Sequence, residues 1–236
     1  MRAVVMEAPG RIVIEDIDAP KVLDPTDAVI ELAATCICGS DLWPFRGAQP
    51  VDHQYMGHEY IGEVVETGPA VKKVAPGDFV VGSFCISCGE CEICRAGYPS
   101  RCPVAAAAGD PFIGARSNGT QAEFARVPFA DGTLVKTPAP PSPELIPHLL
   151  AASDVLGTGW FAADSAGAGP GTTIAVIGDG AVGLGAIIGA KQLGAERIIA
   201  MSRHPQRQAL AREFGATDIV EERGEAGVAR VREMTG

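Results

Sequence analysis

The sequence predicts two domains of different class. A β-rich domain of short strands and long loops spans residues 1–150, and an α/β domain with a doubly wound parallel sheet spans residues 151–236. Three observations carry this. Before the proline-dense stretch 138–147, apolar residues come in short runs cut by Gly and Pro. From residue 173 onward, continuous apolar runs alternate with helical patterns. Between the first such run and the first such helix lies Gly178-x-Gly180-x-x-Gly183.

In the first domain, residues 2–7 and 11–16 flank a Pro9-Gly10 turn and read as a hairpin. Residues 28–34, 63–66 and 79–81 read as further strands, punctuated by Gly68, Pro76 and Gly77. The prolines from Pro138 to Pro147 cannot hold a regular ladder and mark the approach to a boundary near residue 150. In the second domain, residues 173–177 are apolar throughout, as in a strand buried on both faces. Residues 181–193 read as a helix stopped by Gly194, 197–201 as a second strand, 206–214 as a helix stopped by Gly215, and 218–220 as a third strand. Three parallel strands make half of a dinucleotide-binding sheet.

The 236 residues carry a formal net charge of −10. An acidic chain is a poor match for nucleic acid or for an anionic membrane surface. No apolar run approaches the roughly 20 residues of a membrane helix. The expected setting is the cytoplasm.

Four cysteines stand as Cys88-x2-Cys91-x2-Cys94-x7-Cys102. Thiolates at this spacing converge on one tetrahedral ion, and four sulfurs leave no open position, so they read as a structural zinc site. A disulfide cluster needs an oxidising compartment, and the chain opens with no signal segment. Cys85 stands at the same spacing before Cys88, so a shifted set is conceivable. The step through Gly97 and Pro99 lets the loop double back and favours the later set.

In the glycine loop, Gly178 permits the tight turn, Gly180 lets a pyrophosphate approach the backbone, and Gly183 lets helix and strand pack closely. With Ala181 and Val182 these residues form the expected cofactor cradle at a helix N-terminus. An NAD site would place a carboxylate at the end of the second strand. Here Ser202-Arg203-His204 stands there, with Arg207 one turn on. Lacking a repelling carboxylate and offering a guanidinium for a 2′-phosphate, the site is expected to prefer NADP over NAD.

Cys38-Gly39-Ser40-Asp41 and Gly57-His58-Glu59 suggest a second metal centre. Cys38 and His58 are suitable zinc ligands, and a catalytic zinc needs a third protein ligand beside an open position. Asp154 is the candidate, bringing a divalent ion to zero net charge; Glu59 is the alternative, and Asp154 alone also suits a helix N-cap. Cys36, two residues before Cys38, reads as core.

With these residues together the chain resembles the zinc-dependent medium-chain dehydrogenase/reductase family, the alcohol dehydrogenases. The run Gly57-His58-Glu59-x-x-Gly62-x5-Gly68-x2-Val71 is similar to that family's zinc signature. The four-cysteine ladder resembles its structural lobe, and Asp154-x-x-x-Thr158-Gly159 resembles the version in which Asp replaces Cys as third ligand. The resemblance implies a GroES-like catalytic domain followed by a Rossmann domain, with one catalytic and one structural zinc. It implies that Cys38, His58 and Asp154 hold the catalytic zinc, with Glu59 an occasional ligand. Ser40 would relay the substrate proton, Asp41 would organise the loop or orient His58, and Thr158 would lie against the nicotinamide. A small alcohol, aldehyde or ketone substrate and a homodimer or homotetramer are implied in the same way.

Two departures matter. Where many relatives have a His ending the proton relay, this chain has Leu42, Trp43 and Pro44, so the relay ends elsewhere, at His53 or solvent. Trp43 and Phe45 suggest an apolar substrate wall instead. The family's remaining Rossmann strands and returning segment are absent, which makes a truncated, inactive zinc-binding fragment the rival from another class. A zinc-independent quinone or enoyl reductase is the rival enzyme reading; such relatives generally lack both zinc sites.

Overall fold

The computed structural model describes residues 1–109, 112–113 and 119–236. The chain divides into two compact units, Met1–Ser153 and Asp154–Gly236.

The first unit runs β1 (Arg2–Ala8), β2 (Arg11–Asp16), β3 (Ala28–Thr35), α1 (Leu42–Phe45), β4 (Gln54–Tyr55), β5 (Tyr60–Thr67), β6 (Phe79–Gly82), α2 (Glu92–Arg95), α3 (Pro103–Ala107), β7 (Phe124–Val127), α4 (Ala130–Thr133), β8 (Leu134–Lys136) and α5 (Ile146–Ala151). The helix α5 straddles the boundary expected near residue 150. The strands form a five-stranded sheet in the order β7-β3-β5-β6-β8 and a three-stranded sheet in the order β2-β1-β4. Neighbouring strands are antiparallel throughout both sheets. The core is apolar and mostly aliphatic, with Ile30, Val64, Val80, Val127 and Tyr60 fully buried. Burying such side chains stabilises by about 1.5–3 kcal/mol each.

Register along β5 matters to the site, because His58 and Glu59 lead directly into it. Tyr60 pairs with Thr35, and Gly62 pairs with Leu32. A Cβ on Gly62 would run into the Glu31 carbonyl oxygen across the ladder. Backbone cannot move aside as a side chain can. Gly62→Ala is therefore expected to destabilise the first unit by about 3 kcal/mol in denaturant unfolding; a change under ~1 kcal/mol would contradict the packing.

The second unit runs α6 (Val155–Ser165), β9 (Thr173–Ile177), α7 (Ala181–Leu193), β10 (Arg197–Met201), α8 (Pro205–Phe214), β11 (Asp218–Val220) and α9 (Gly224–Thr235). Its strands are parallel in the order β11-β10-β9, the doubly wound half sheet the pattern predicts. Arg197 clamps β10 to β11 by a bidentate pair with Asp218, at 2.8 and 3.0 Å. One expectation is corrected: β9 is not buried on both faces. Ile174 and Val176 join the core, whereas Ile177 is 84% exposed, because β9 is an edge strand of the described sheet. Among the described residues no helix is long and apolar enough to cross a membrane.

Candidate active site

The loop from β3 and the start of β5 bring Cys38, His58 and Glu59 together. Each offers a ligand atom, and these atoms lie within 4.8 Å of one another. Cys38 precedes the 3-10 turn Gly39–Asp41. Asp41 closes that turn on itself, its Oδ2 accepting from the Cys38 backbone N–H at 2.9 Å. Its Oδ1 lies 3.7 Å from His58 Nδ1. An Nδ1 proton held towards that carboxylate leaves Nε2 as the lone-pair donor, the arrangement a metal-ligating His needs. Ser40 Oγ is 3.4 Å from Nε2.

Gly57 sits at φ +97°, and a Cβ there would strike Gln121 and Thr120. This close approach seats Gln121, whose Nε2 reaches the Cys36 carbonyl at 3.2 Å and Asp41 Oδ2 at 3.4 Å. Gln121 was not among the residues singled out in the sequence. It stands 80 positions from Asp41, and no motif links the two.

Glu59 is 1% exposed, and its Oε2 has no hydrogen-bond partner. A buried, orphaned carboxylate oxygen is costly unless a cation sits beside it. A thiol, an imidazole and a carboxylate of this kind fit a zinc ion. Cys36 is not simply core: it is half-buried, and burial followed by its hydrogen bond to Glu59 pushes its thiol up to about 12. Cys36 also stands outside the cluster of ligand atoms. His53 pairs with Glu15, Nε2 to Oε1 at 3.0 Å, and is 52% exposed.

The second metal cluster gathers Cys88, Cys91, Cys94 and Cys102, all unbridged. Four sulfurs each about 2.3 Å from one ion lie about 3.8 Å apart. Cys102 Sγ is 3.6 Å from Cys88 Sγ and 3.9 Å from Cys91 Sγ. The loop doubles back at Gly97, φ +91°, and Pro99. Cys91 and Cys102 each cap a helix start, accepting from Cys94 and Ala105 N–H. Burial pushes the Cys102 thiol up, but N–H donors from Cys88 and Ala105 and the neighbouring thiols outweigh it and bring it to about 6. Burial and then hydrogen bonding to Cys91 push the Cys94 thiol to about 12. Cys85 is buried, forms a β-bridge with Phe112 and stands outside this set.

In the second unit Asp154 is the first residue. It makes no side-chain capping bond to α6; instead its Oδ1 accepts from Thr158 Oγ1 at 2.7 Å. In the glycine loop, Gly178 takes φ +111°, and a Cβ on Gly183 would meet the Gly178 carbonyl. A Cβ on Gly180 would point into open space, and Gly180 offers no side-chain cap to α7. The uncapped start of α7, beside a mostly apolar groove of about 410 Å³, fits a dinucleotide's pyrophosphate.

The end of β10 holds a correction. Lack of a carboxylate was the expectation there. Asp179 of the glycine loop supplies one, 7% exposed, accepting from Ser202 Oγ at 2.9 Å and Arg207 Nη1 at 3.0 Å. Burial pushes its carboxyl up, but the hydrogen bonds from Ser202 and Arg207 outweigh that and hold it below the usual carboxylate value. Arg203 is exposed.

Comparison with known proteins bears on this arrangement. Residues 24–139 match the family described as alcohol dehydrogenase GroES-like domain, and residues 181–236 match zinc-binding dehydrogenase. Over 244 residues the chain is 39% identical to a medium chain reductase/dehydrogenase of Acremonium sp, covering 100% of this chain and 81% of that protein. The chain belongs to the zinc-dependent medium-chain dehydrogenase/reductase family. A zinc-type alcohol dehydrogenase B of Aspergillus flavus is 39% identical over 243 residues, covering 100% of this chain and 55% of that one. The solved alcohol dehydrogenase TADH from Thermus sp. ATN1 superposes with a TM-score of 0.85 at 37% identity, covering 100% of this chain and 67% of that one. Against the two curated relatives, this family member therefore spans from about half to four-fifths of their length. The GroES-like and Rossmann folds of the medium-chain dehydrogenases correspond to its two units.

Proposed function

We propose that the protein is a zinc-dependent oxidoreductase that exchanges a hydride between an alcohol or carbonyl substrate and a nicotinamide cofactor, with NADP preferred to NAD. The observation that carries this is the donor cluster of Cys38, His58 and Glu59, with its orphaned buried oxygen, beside the Ser40 hydroxyl. Cys38 and His58 would hold the catalytic zinc, with Asp154 as third ligand and Glu59 as an exchange partner. When bound, the zinc supplies a Lewis acid that acidifies a substrate hydroxyl, and the nicotinamide supplies the hydride acceptor.

The chain's own residues do the rest. Ser40 Oγ can accept a proton from a substrate hydroxyl and donate one onward, since one oxygen carries both functions. Asp41 orients His58 and braces the Cys38 loop. Gly178 to Gly183 seat the pyrophosphate through backbone N–H groups at the start of α7. Thr158, tied to Asp154, would face the nicotinamide. Cys88, Cys91, Cys94 and Cys102 would hold the structural zinc. The two donor clusters favour this reading over a zinc-independent quinone or enoyl reductase. A reducing compartment, the cytoplasm, suits four unbridged thiols. A dimer or tetramer of the chain is proposed on the resemblance alone.

A panel of alcohols and aldehydes, assayed with NADP and NAD alongside metal analysis, tests the reading. NADP-dependent turnover that disappears on zinc removal is expected. Undiminished activity in the metal-free protein would refute the zinc assignment, and a strong NAD preference would refute the cofactor assignment.

A further inference from the structure

Three chain segments meet at the carboxyl edge of the parallel sheet. Asp179 comes from the loop after β9, Ser202 from the end of β10, and Arg207 from the first turns of α8. The assembly is built rather than incidental. Ser202 is 1% exposed, and its backbone N–H donates to the Val220 carbonyl at 3.0 Å. Gln208, 9% exposed, donates from Nε2 to the Ser202 carbonyl and to Glu221 Oε1, both at 2.9 Å. The loop after β9, the ends of β10 and β11, and the start of α8 are thus tied into one hydrogen-bonded floor. This is the edge of a doubly wound sheet where a dinucleotide's adenosine ribose rests.

The floor's charges are unequal in exposure. Asp179 is 7% exposed and Arg207 is 51% exposed. The carboxylate faces inward, engaged on both oxygens, while the guanidinium covers it and keeps an outer edge towards solvent. A guanidinium has five N–H donors, and one of them is spent on Asp179. The paired carboxylate is neutralised locally and does not repel an arriving anion. Holding the planar fork in place lowers the entropy lost when its remaining donors bind a phosphate.

We propose that Asp179 is the positioning residue of the cofactor's adenosine-ribose site, holding Arg207 and Ser202 so that the guanidinium's outer edge accepts a 2′-phosphate alongside Arg203. The inference rests on the nucleotide reading above and deepens it. It also inverts the ordinary meaning of a carboxylate at this edge. An acidic side chain that faces the ribose hydroxyls selects NAD, whereas one buried beneath an arginine prepares a phosphate site.

Asp179→Asn is the decisive variant. It keeps the shape and a carbonyl acceptor for Ser202, but sets an amide donor group against the Arg207 donor, or loses the Ser202 bond if flipped. Binding of 2′,5′-ADP and of 5′-AMP to the full chain, measured by calorimetry, reads the effect without turnover. The intact protein is expected to bind 2′,5′-ADP more tightly than 5′-AMP. Asp179→Asn is expected to weaken 2′,5′-ADP about tenfold or more relative to 5′-AMP, as befits a lost charge-assisted contact. An unchanged circular-dichroism spectrum and unfolding midpoint show that the fold has survived. Arg207→Gln, which keeps Asp179, must lose the same preference, and the double variant must be no worse than either single one.

A preference for 2′,5′-ADP that persists in Asp179→Asn or in Arg207→Gln overturns this inference alone. So does tighter 2′,5′-ADP binding by Asp179→Asn, which would make Asp179 a repelling group. An intact protein with no preference between the two nucleotides overturns both this inference and the NADP reading.

Discussion

Cys38→Ala and His58→Ala are each expected to lower turnover about a thousandfold or more, the scale of losing a preorganised electrostatic group at the reacting centre. Both side chains belong to the Cys38–His58–Glu59 cluster, and neither has a substitute there. Cys36 is close in sequence but lies outside the cluster of ligand atoms. The defining measurement pairs activity with metal content. Each variant should lose the catalytic zinc and keep the one in the four-cysteine lobe, with thermal stability little changed. Retained activity in a Cys38 variant carrying only the lobe metal would remove Cys38 from the chemistry. Asp41→Asn should be milder, because Asp41 acts through His58 and the turn. Its loss should appear in kcat and in the pH profile rather than as loss of the metal.

Cys102→Ser is expected to have the largest effect on stability. Cys102 is 2% exposed and lies in the apolar core of the first unit beside the fully buried Ala105. Its sulfur accepts from the Cys88 and Ala105 N–H groups, both at 3.4 Å, and lies within 3.9 Å of the Cys91 sulfur. A hydroxyl in its place gives up the metal and leaves a shorter polar group in the core. The loss should be about 4 kcal/mol or more, lowering the unfolding midpoint of the first unit by about 10 °C, with the lobe zinc absent. Cys85→Ser supplies the control: Cys85 lies outside the sulfur cluster, so metal content should stay unchanged. Loss of the lobe metal from the Cys85 variant would reinstate the shifted ligand set.

The second unit was largely legible because its signals are local. The apolar run at β9, the glycine loop, α7 ending at Gly194 and β10 each announce themselves within a dozen residues, and the structure returns the same bounds. α6 and α9 were less visible. α6 carries two glycines, Gly157 and Gly159, and α9 carries Gly224, Gly227 and four charged residues among its apolar ones, so neither announces itself as a clear helix in the sequence. In the first unit β4, β7 and β8 went unread, since strands of two to four residues carry too little periodicity to separate from loop.

The residue types and spacings in the chain were enough to establish the two fold classes, the sulfur ladder, the glycine loop and the pairing of Cys38 with His58 as a candidate metal centre. These depend on short-range constraints: a tight turn demands Gly, and four thiols at short intervals converge on one ion. The tertiary structure alone decided what surrounds them. Gln121 reaches Asp41 across 80 residues, Glu59 is buried with an unpaired oxygen, and Asp179 places a carboxylate under Arg207 where the end of β10 had none of its own. Strand pairing creates such neighbours. Parallel β9 and β10 bring Asp179 beside Ser202 although 23 positions separate them, and no local pattern encodes a contact that only the sheet brings into being.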